Sequence, residues 1–161
     1  MDYSRHLLID AYNVIHQWPE LRRALREGVT SAREALASRV QVLHDHERLR
    51  VTLVFDGQGS EIEIERPGRL QTFSYVYSAK TLSADDVIER MIGAAADPEM
   101  YLVVTNDLAE RHTVEALGAH ALSPDDLQSW VTAAERAVTA KLRTRQKQVE
   151  ADWHRKIEFG E

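Results

Sequence analysis

The chain alternates short apolar runs with longer amphipathic stretches. Leu7-Leu8-Ile9 runs unbroken into Asp10, and Val51-Thr52-Leu53-Val54-Phe55 runs into Asp56-Gly57. Phe73-Ser74-Tyr75-Val76-Tyr77 and Tyr101-Leu102-Val103-Val104-Thr105 repeat the pattern. Apolar runs of this length, bounded by polar turns, suit strands buried on both faces, the habit of a parallel sheet. Residues 5–9, 51–55, 73–77 and 101–105 are therefore expected as strands, with 119–122 as a short fifth. Residues 57–70 set Ile62 and Ile64 between Glu61, Glu63 and Glu65. That stretch predicts a surface excursion with a short edge strand.

Between these runs the period changes to that of helices. Leu21 to Arg26 predicts a short helical turn that Gly28 ends. Ser31-Ala32-Arg33-Glu34 has capping-box spacing, and a helix to about Leu49 should bury Leu36, Val40 and Leu43. Ser83 is placed to cap a helix with Ile88, Met91 and Ile92 on its apolar face, stopped at Asp97-Pro98. A further helix follows Asn106-Asp107 and ends at Gly118. Ser123-Pro124-Asp125-Asp126 is a strong helix start, with a cap and then proline at the first helical position. The final helix is expected over about 124–157. Alternating strands and helices predict an α/β fold, a mostly parallel sheet of four to five strands with right-handed crossovers. No repeat or linker breaks the pattern, so 1–161 reads as one domain.

Composition removes several chemistries. The chain has 161 residues, 43% of them apolar, with 7 Gly and 4 Pro, an ordinary globular balance. It has no cysteine, which excludes disulfides, thiolate metal sites and cysteine nucleophiles. The first residues are too few and too polar for a signal peptide, and no apolar run reaches membrane-spanning length, so a cytoplasmic protein without a membrane partner is expected. The net charge of −6 argues against coating of nucleic acid by the whole surface while leaving room for a local basic patch.

The acids change the picture most. Asp10, Asp56 and Asp107 each follow a strand, and Asp85 and Asp86 fall in the first turn of the helix after the third long strand. In a parallel sheet the C-terminal ends of strands share an edge with the N-termini of the following helices, so all five carboxylates are expected at one rim, where ligands bind in such folds. Any one of them is explained equally well as a helix cap or a turn residue. Together they would repel unless a cation is present, and a hard divalent cation, Mg²⁺ or Mn²⁺, suits oxygen ligands and phosphodiester hydrolysis. Asn13 is expected in the loop leaving the first strand, its amide facing the same crevice.

Asp10-Ala11-Tyr12-Asn13 resembles the D-x-x-N start of NYN domains. Phe55-Asp56, Ser83-Ala84-Asp85-Asp86-Val87-Ile88-Glu89 and Thr105-Asn106-Asp107 resemble the later motifs of the YacP-like branch, over about residues 5–130. The resemblance implies a PIN-like, three-layer nuclease fold and a metal-dependent endoribonuclease acting on single-stranded RNA or mRNA. It implies Asp10, Asp85 and Asp107 as the acidic core, Asn13 orienting a water or phosphate, and Asp86 assisting with metal or water. Ala11 and Asp86 stand where many relatives carry Gly and Glu; the shorter carboxylate would reach a metal through water. Asp56 and Thr105 stand as supporting groups, with Asp56 equally readable as a turn residue.

Other features supply candidate RNA contacts. Lys141, Arg143, Arg145 and Lys147 lie in an acid-free part of the last helix, and Arg22, Arg23 and Arg26 lie near the first loop. Such stripes bind phosphates or simply solvate a helix face. Tyr12 and Trp18 are candidates for stacking on a base, or for ordinary packing. His44 and His46 point in different directions on a helix and make a poor ligand pair. A phosphoacceptor receiver domain would need an acid pair after the first strand and a lysine after the last, and a haloacid-dehalogenase-type phosphatase would need Asp where Tyr12 stands. A catalytically silent PIN-like module that binds RNA or a protein is the remaining alternative.

Overall fold

The computed structural model describes Tyr3 and residues 5–158. Residues 1, 2, 4 and 159–161, the ends of the expected 1–161 unit, lie outside the described residues. In chain order the elements are β1 (Arg5–Asp10), α1 (Ala11–Gln17), α2 (Pro19–Glu27), α3 (Val29–Glu47), β2 (Leu49–Phe55), β3 (Glu63–Glu65), β4 (Phe73–Tyr77), α4 (Ala84–Gly93), β5 (Tyr101–Val104), α5 (Leu108–Ala116), β6 (His120–Leu122) and α6 (Pro124–Glu158). Six strands pair in the order β3-β4-β2-β1-β5-β6. This exceeds the expected four to five because both short segments, β3 and β6, join the edges. All pairings are parallel except β3 with β4.

The sheet is the middle of three layers. Leu7 and Ile9 of β1 point into a core with α1, α2, α3 and the start of α6, whereas Leu8 points into a second core with α4 and α5. All three side chains are fully buried. Alternate residues of a strand face opposite sides, so a strand covered on both faces needs every position apolar, as this run is. Each such side chain contributes roughly 1.5–3 kcal/mol on burial.

The chain moves from β1 to β2 and β4 on one side of β1, then crosses to β5 and β6 on the other. The reversal opens a crevice between the C-terminal ends of β1 and β5, the usual ligand position in open α/β sheets. Asp10 ends β1 at this point.

Two local expectations change. Asn13 is in the first turn of α1, because the helix starts directly after Asp10 with no loop. Ser31 does not cap α3; the helix starts at Val29. Gly28 adopts φ 151° and ψ 161°, open only to glycine. It joins α2 to α3 without a spacer, its N–H donating to the Ala24 and Leu25 carbonyls and its carbonyl accepting from Ala32.

Candidate metal centre

Strand parity decides which acids meet. Asp10 shares a face with Leu8, Asp56 with Val54 and Thr105 with Val103. Leu8, Val54 and Val103 all face the core under α4 and α5. Asp10 at the end of β1, and Asp56 and Thr105 directly after β2 and β5, therefore lie toward that side, where α4 brings Asp85 and α5 brings Glu110. Oxygens of Asp10, Asp85 and Glu110 lie within 4.8 Å of one another, the group among the described residues that could hold a metal ion.

Glu110 was not anticipated from the sequence. It sits three residues after Asp107, where a capping-box reading sends its side chain back to the helix start. It is also four residues before the buried Val114, so it lies on the inward stripe of α5. That second spacing is the sequence signal that identifies it. Glu110 is 1% exposed. Its Oε2 accepts from Thr105 Oγ1 at 2.6 Å, and its Oε1 is buried without a partner.

Burial is the main cause that raises the Glu110 carboxyl far above the ordinary range, followed by the Asp10 charge; the Thr105 hydroxyl opposes the shift. Asp10, 4% exposed, is also raised, to about 6, by burial and then by Asp85 and Asp56, while its contact with Glu110 and the hydrogen bond from Asn13 hold it down. Burial and the neighbouring charge therefore favour a proton on Glu110 in the metal-free pair, as expected where two buried carboxylates share a site.

The neighbouring polar groups fix this cluster. Asn13 Nδ2 donates to Asp10 Oδ2 at 3.0 Å, and Asn13 Oδ1 accepts from the Asn106 N–H at 3.1 Å. One side chain thus ties the start of α1 to the loop after β5. Asp56 Oδ1 accepts from the Ala84 N–H at 2.9 Å, anchoring the start of α4 beside Asp85.

Asp86 and Asp107 go elsewhere. Asp86 Oδ2 accepts from both the N–H and the hydroxyl of Ser83, at 3.0 Å each, in a capping box. The Ser83 backbone bond is the main cause holding its carboxyl below the usual range. Asp107 Oδ1 caps α5 through the N–H groups of Ala109 at 2.8 Å and Glu110 at 3.3 Å. The structure brings together Asp10 and Asp85 of the expected metal residues, adds Glu110, and sets Asp86 and Asp107 at helix starts outside the group.

An open cleft of about 460 Å³ lies above Asp10 and Asp85, with Tyr12, Asn13, His16, Gln17, Asp56 and Asn106 on its walls. Trp18 takes no part: it is fully buried, its Nε1 donating to the Pro124 carbonyl at 2.9 Å. Arg22 and Arg23 are exposed on α2, and Lys141, Arg143, Arg145 and Lys147 on the projecting part of α6. Among the described residues no helix is long and apolar enough to cross a membrane.

The chain as a whole is similar to known proteins. The family model of the YacP-like NYN domain matches residues 7–159. Uncharacterized protein YacP of Bacillus subtilis is 25% identical over 138 residues, covering 85% of this chain and 81% of the relative. The crystal structure of Rae1 (YacP) from Bacillus subtilis superposes with a TM-score of 0.70 at 25% identity, covering 99% of this chain and 88% of that one. Its W164L mutant gives a TM-score of 0.73 at 25% identity, covering 87% and 82%. With its PIN-like architecture, the chain belongs to the YacP-like NYN domain family, whose members are generally nucleases.

Proposed function

We propose that the protein is a metal-dependent endoribonuclease that hydrolyses phosphodiester bonds in single-stranded RNA. The observation that carries this reading is the Asp10–Asp85–Glu110 group beneath an open cleft, with Glu110 Oε1 buried and unpartnered. The donor set is all carboxylate oxygen, which fits a hard divalent cation such as Mg²⁺ or Mn²⁺. Such a cation supplies Lewis-acid stabilisation of charge on phosphate oxygens and lowers the pKa of water.

The chain's own residues prepare the site. Asp10, Asp85 and Glu110 would hold the cation. Asn13 keeps Asp10 in place, and Thr105 fixes the Glu110 rotamer, leaving Oε1 free. Asp56, Asp86 and Asp107 hold the starts of α4 and α5, so that Asp85 and Glu110 project inward. The proton that Glu110 carries must leave when a cation arrives, which makes metal affinity rise with pH. Arg22 and Arg23 on α2, which follows the cleft-lining His16 and Gln17, together with Lys141, Arg143, Arg145 and Lys147, offset the negative body as a strand approaches.

The test is incubation with end-labelled single-stranded RNA and DNA in Mg²⁺, Mn²⁺ or chelator. Internal cleavage of RNA with either metal and none with chelator is the expected result. Cleavage that persists after exhaustive chelation overturns the metal dependence. RNA binding without cleavage under every metal condition would support the catalytically silent module instead.

A further inference from the structure

We propose that a recess beside the metal centre seats one unpaired base of the RNA and selects bases that carry an exocyclic amine. The inference rests on the nuclease reading for its substrate and adds a determinant of which bases that substrate presents. The recess measures about 280 Å³. It shares Asp56 with the cleft above Asp10, so the two openings adjoin.

Two near-parallel rings and a guanidinium set against both of them build one side. The Phe55 and Tyr77 rings lie 5.4 Å apart at 20°. The Arg33 guanidinium carbon lies 5.0 Å from both ring centroids. Phe55 is fully buried, while Arg33 and Tyr77 reach the recess. Arg33 Nη2 donates to Tyr12 Oη at 3.1 Å, linking the stack to a wall of the catalytic cleft. Arg33 takes part in no ion pair among the described residues, and its Nε is buried without a partner. Arg33 and Tyr77 thus offer the recess a cationic and an aromatic surface over the buried Phe55 ring. At its rim Glu65 Oε2 accepts from Tyr77 Oη at 3.4 Å. Guanidinium planes and aromatic rings are the surfaces on which proteins stack splayed bases of single-stranded RNA.

The floor is backbone. A Cβ on Gly57 would fall 2.0 Å from the Ser78 carbonyl oxygen, so the ends of β2 and β4 approach as only glycine permits. Their contact is fixed by the Gly57 N–H donating to Ser78 Oγ at 3.0 Å. A rigid floor loses little freedom when a ligand enters.

Glu61, Glu63 and Glu65, on and beside β3, form the facing wall. Carboxylates repel a phosphate, so the strand would lie with a base edge, not its backbone, toward this wall. They accept from the exocyclic amines of adenine, cytosine and guanine. Uracil offers a single N–H between two carbonyl oxygens, which the same carboxylates disfavour.

The experiment measures binding of labelled A8, C8 and U8 RNA in Ca²⁺, with cleavage of the same oligonucleotides in Mn²⁺ followed in parallel. The wild type should bind A8 and C8 about fivefold or more tightly than U8. Tyr77→Leu should weaken A8 roughly tenfold, at the lower end of one lost base stack, and Tyr77→Phe should restore it. The triple variant Glu61→Gln, Glu63→Gln, Glu65→Gln should bring U8 to parity while still cleaving. Asp85→Asn should lose cleavage and keep the base preference. Equal binding of all three oligonucleotides by the wild type, or a preference that survives both Tyr77→Leu and the triple variant, overturns the proposal. If cleavage nevertheless persists, the nuclease reading stands and the base seat alone falls; if RNA is neither bound nor cleaved, both fall.

Discussion

Thr105 donates its hydroxyl proton to Glu110 Oε2 at 2.6 Å, which leaves Oε1 of the same buried carboxyl group without a partner beside Asp10. The Thr105 hydroxyl also accepts from the Asp107 N–H at 3.1 Å. The residue after β5 and the first turn of α5 thus form one rigid unit whose free atom faces the centre.

Glu110→Gln should cut RNA cleavage by at least about 100-fold, a loss of ~2.7 kcal/mol in transition-state stabilisation. Asp107→Asn should stay within a few-fold of wild type, since Asn caps a helix about as well as Asp. Its stability cost should be ~0.3–1 kcal/mol, from the lost charge at the helix start. Single-turnover rates and melting temperatures of the two variants check this pair. A dead Asp107→Asn beside an active Glu110→Gln would move the third metal residue back to Asp107.

The metal-free protein should become less stable as pH rises. Glu110 and Asp10 have native pKa values raised above their unfolded ones. Their contribution is fully present below the unfolded values and is lost as pH rises through the raised native ones. His6 acts in the opposite sense: burial, then Arg50, lowers it to about 4, so its contribution is lost as pH falls from about 6.5. A window from about pH 7 to 8.5 lies above the range of His6 and of Asp10, raised to about 6, and so isolates Glu110, raised to about 9. There the stability of wild type in chelator, followed by its melting temperature, should fall by at most ~1.4 kcal/mol per pH unit for one group, and Glu110→Gln should flatten the decline. Identical slopes would remove Glu110 from the coupled pair.

Divalent metal should stabilise the wild type and not Asp85→Asn. At a free concentration about 100 times Kd the gain is roughly 2.7 kcal/mol. For a chain of this size that raises Tm by about 5–10 °C. Titration of Mg²⁺ and Mn²⁺ against both proteins by scanning calorimetry measures it. An equal gain in Asp85→Asn would place the ion outside the group.

The projecting part of α6 should report on RNA electrostatics. Residues 141–158 are all exposed, so replacing Lys141, Arg143, Arg145 and Lys147 by Gln should leave the fold unchanged. If four cations contact phosphates, the log–log salt slope of RNA binding is about −2.8, from about −0.7 per contact on single strands. Affinity measured in Ca²⁺ at several salt concentrations should show that slope in the wild type and a flatter one in the quadruple variant. An unchanged slope would assign these residues to solvation and leave Arg22 and Arg23 as the phosphate contacts.

What the sequence determined is local. Leu7-Leu8-Ile9 leaves no polar face, so β1 had to be covered on both sides. Ser83 and Ser123 carried their helix starts in side-chain chemistry that acts within three residues. The order of strands and helices placed Asp10, Asp56, Asp85 and Asp107 at one edge, and the motif resemblance named the family. What only the tertiary structure decided is which carboxylate oxygens meet. Asp86 and Asp107 satisfy backbone donors of their own helix starts, contacts that an edge-level reading cannot separate from metal ligation. Glu110 reaches the centre because the inward stripe of α5 lies beside the end of β1, and its pairing with Asp10 spans 100 residues of chain. The base recess likewise joins Arg33 of α3 to Tyr77 of β4, whose neighbourhood depends on how far α3 overlies the sheet. Local propensity fixes each element and its cap; desolvation and like-charge repulsion act between atoms that only packing brings within a few ångströms.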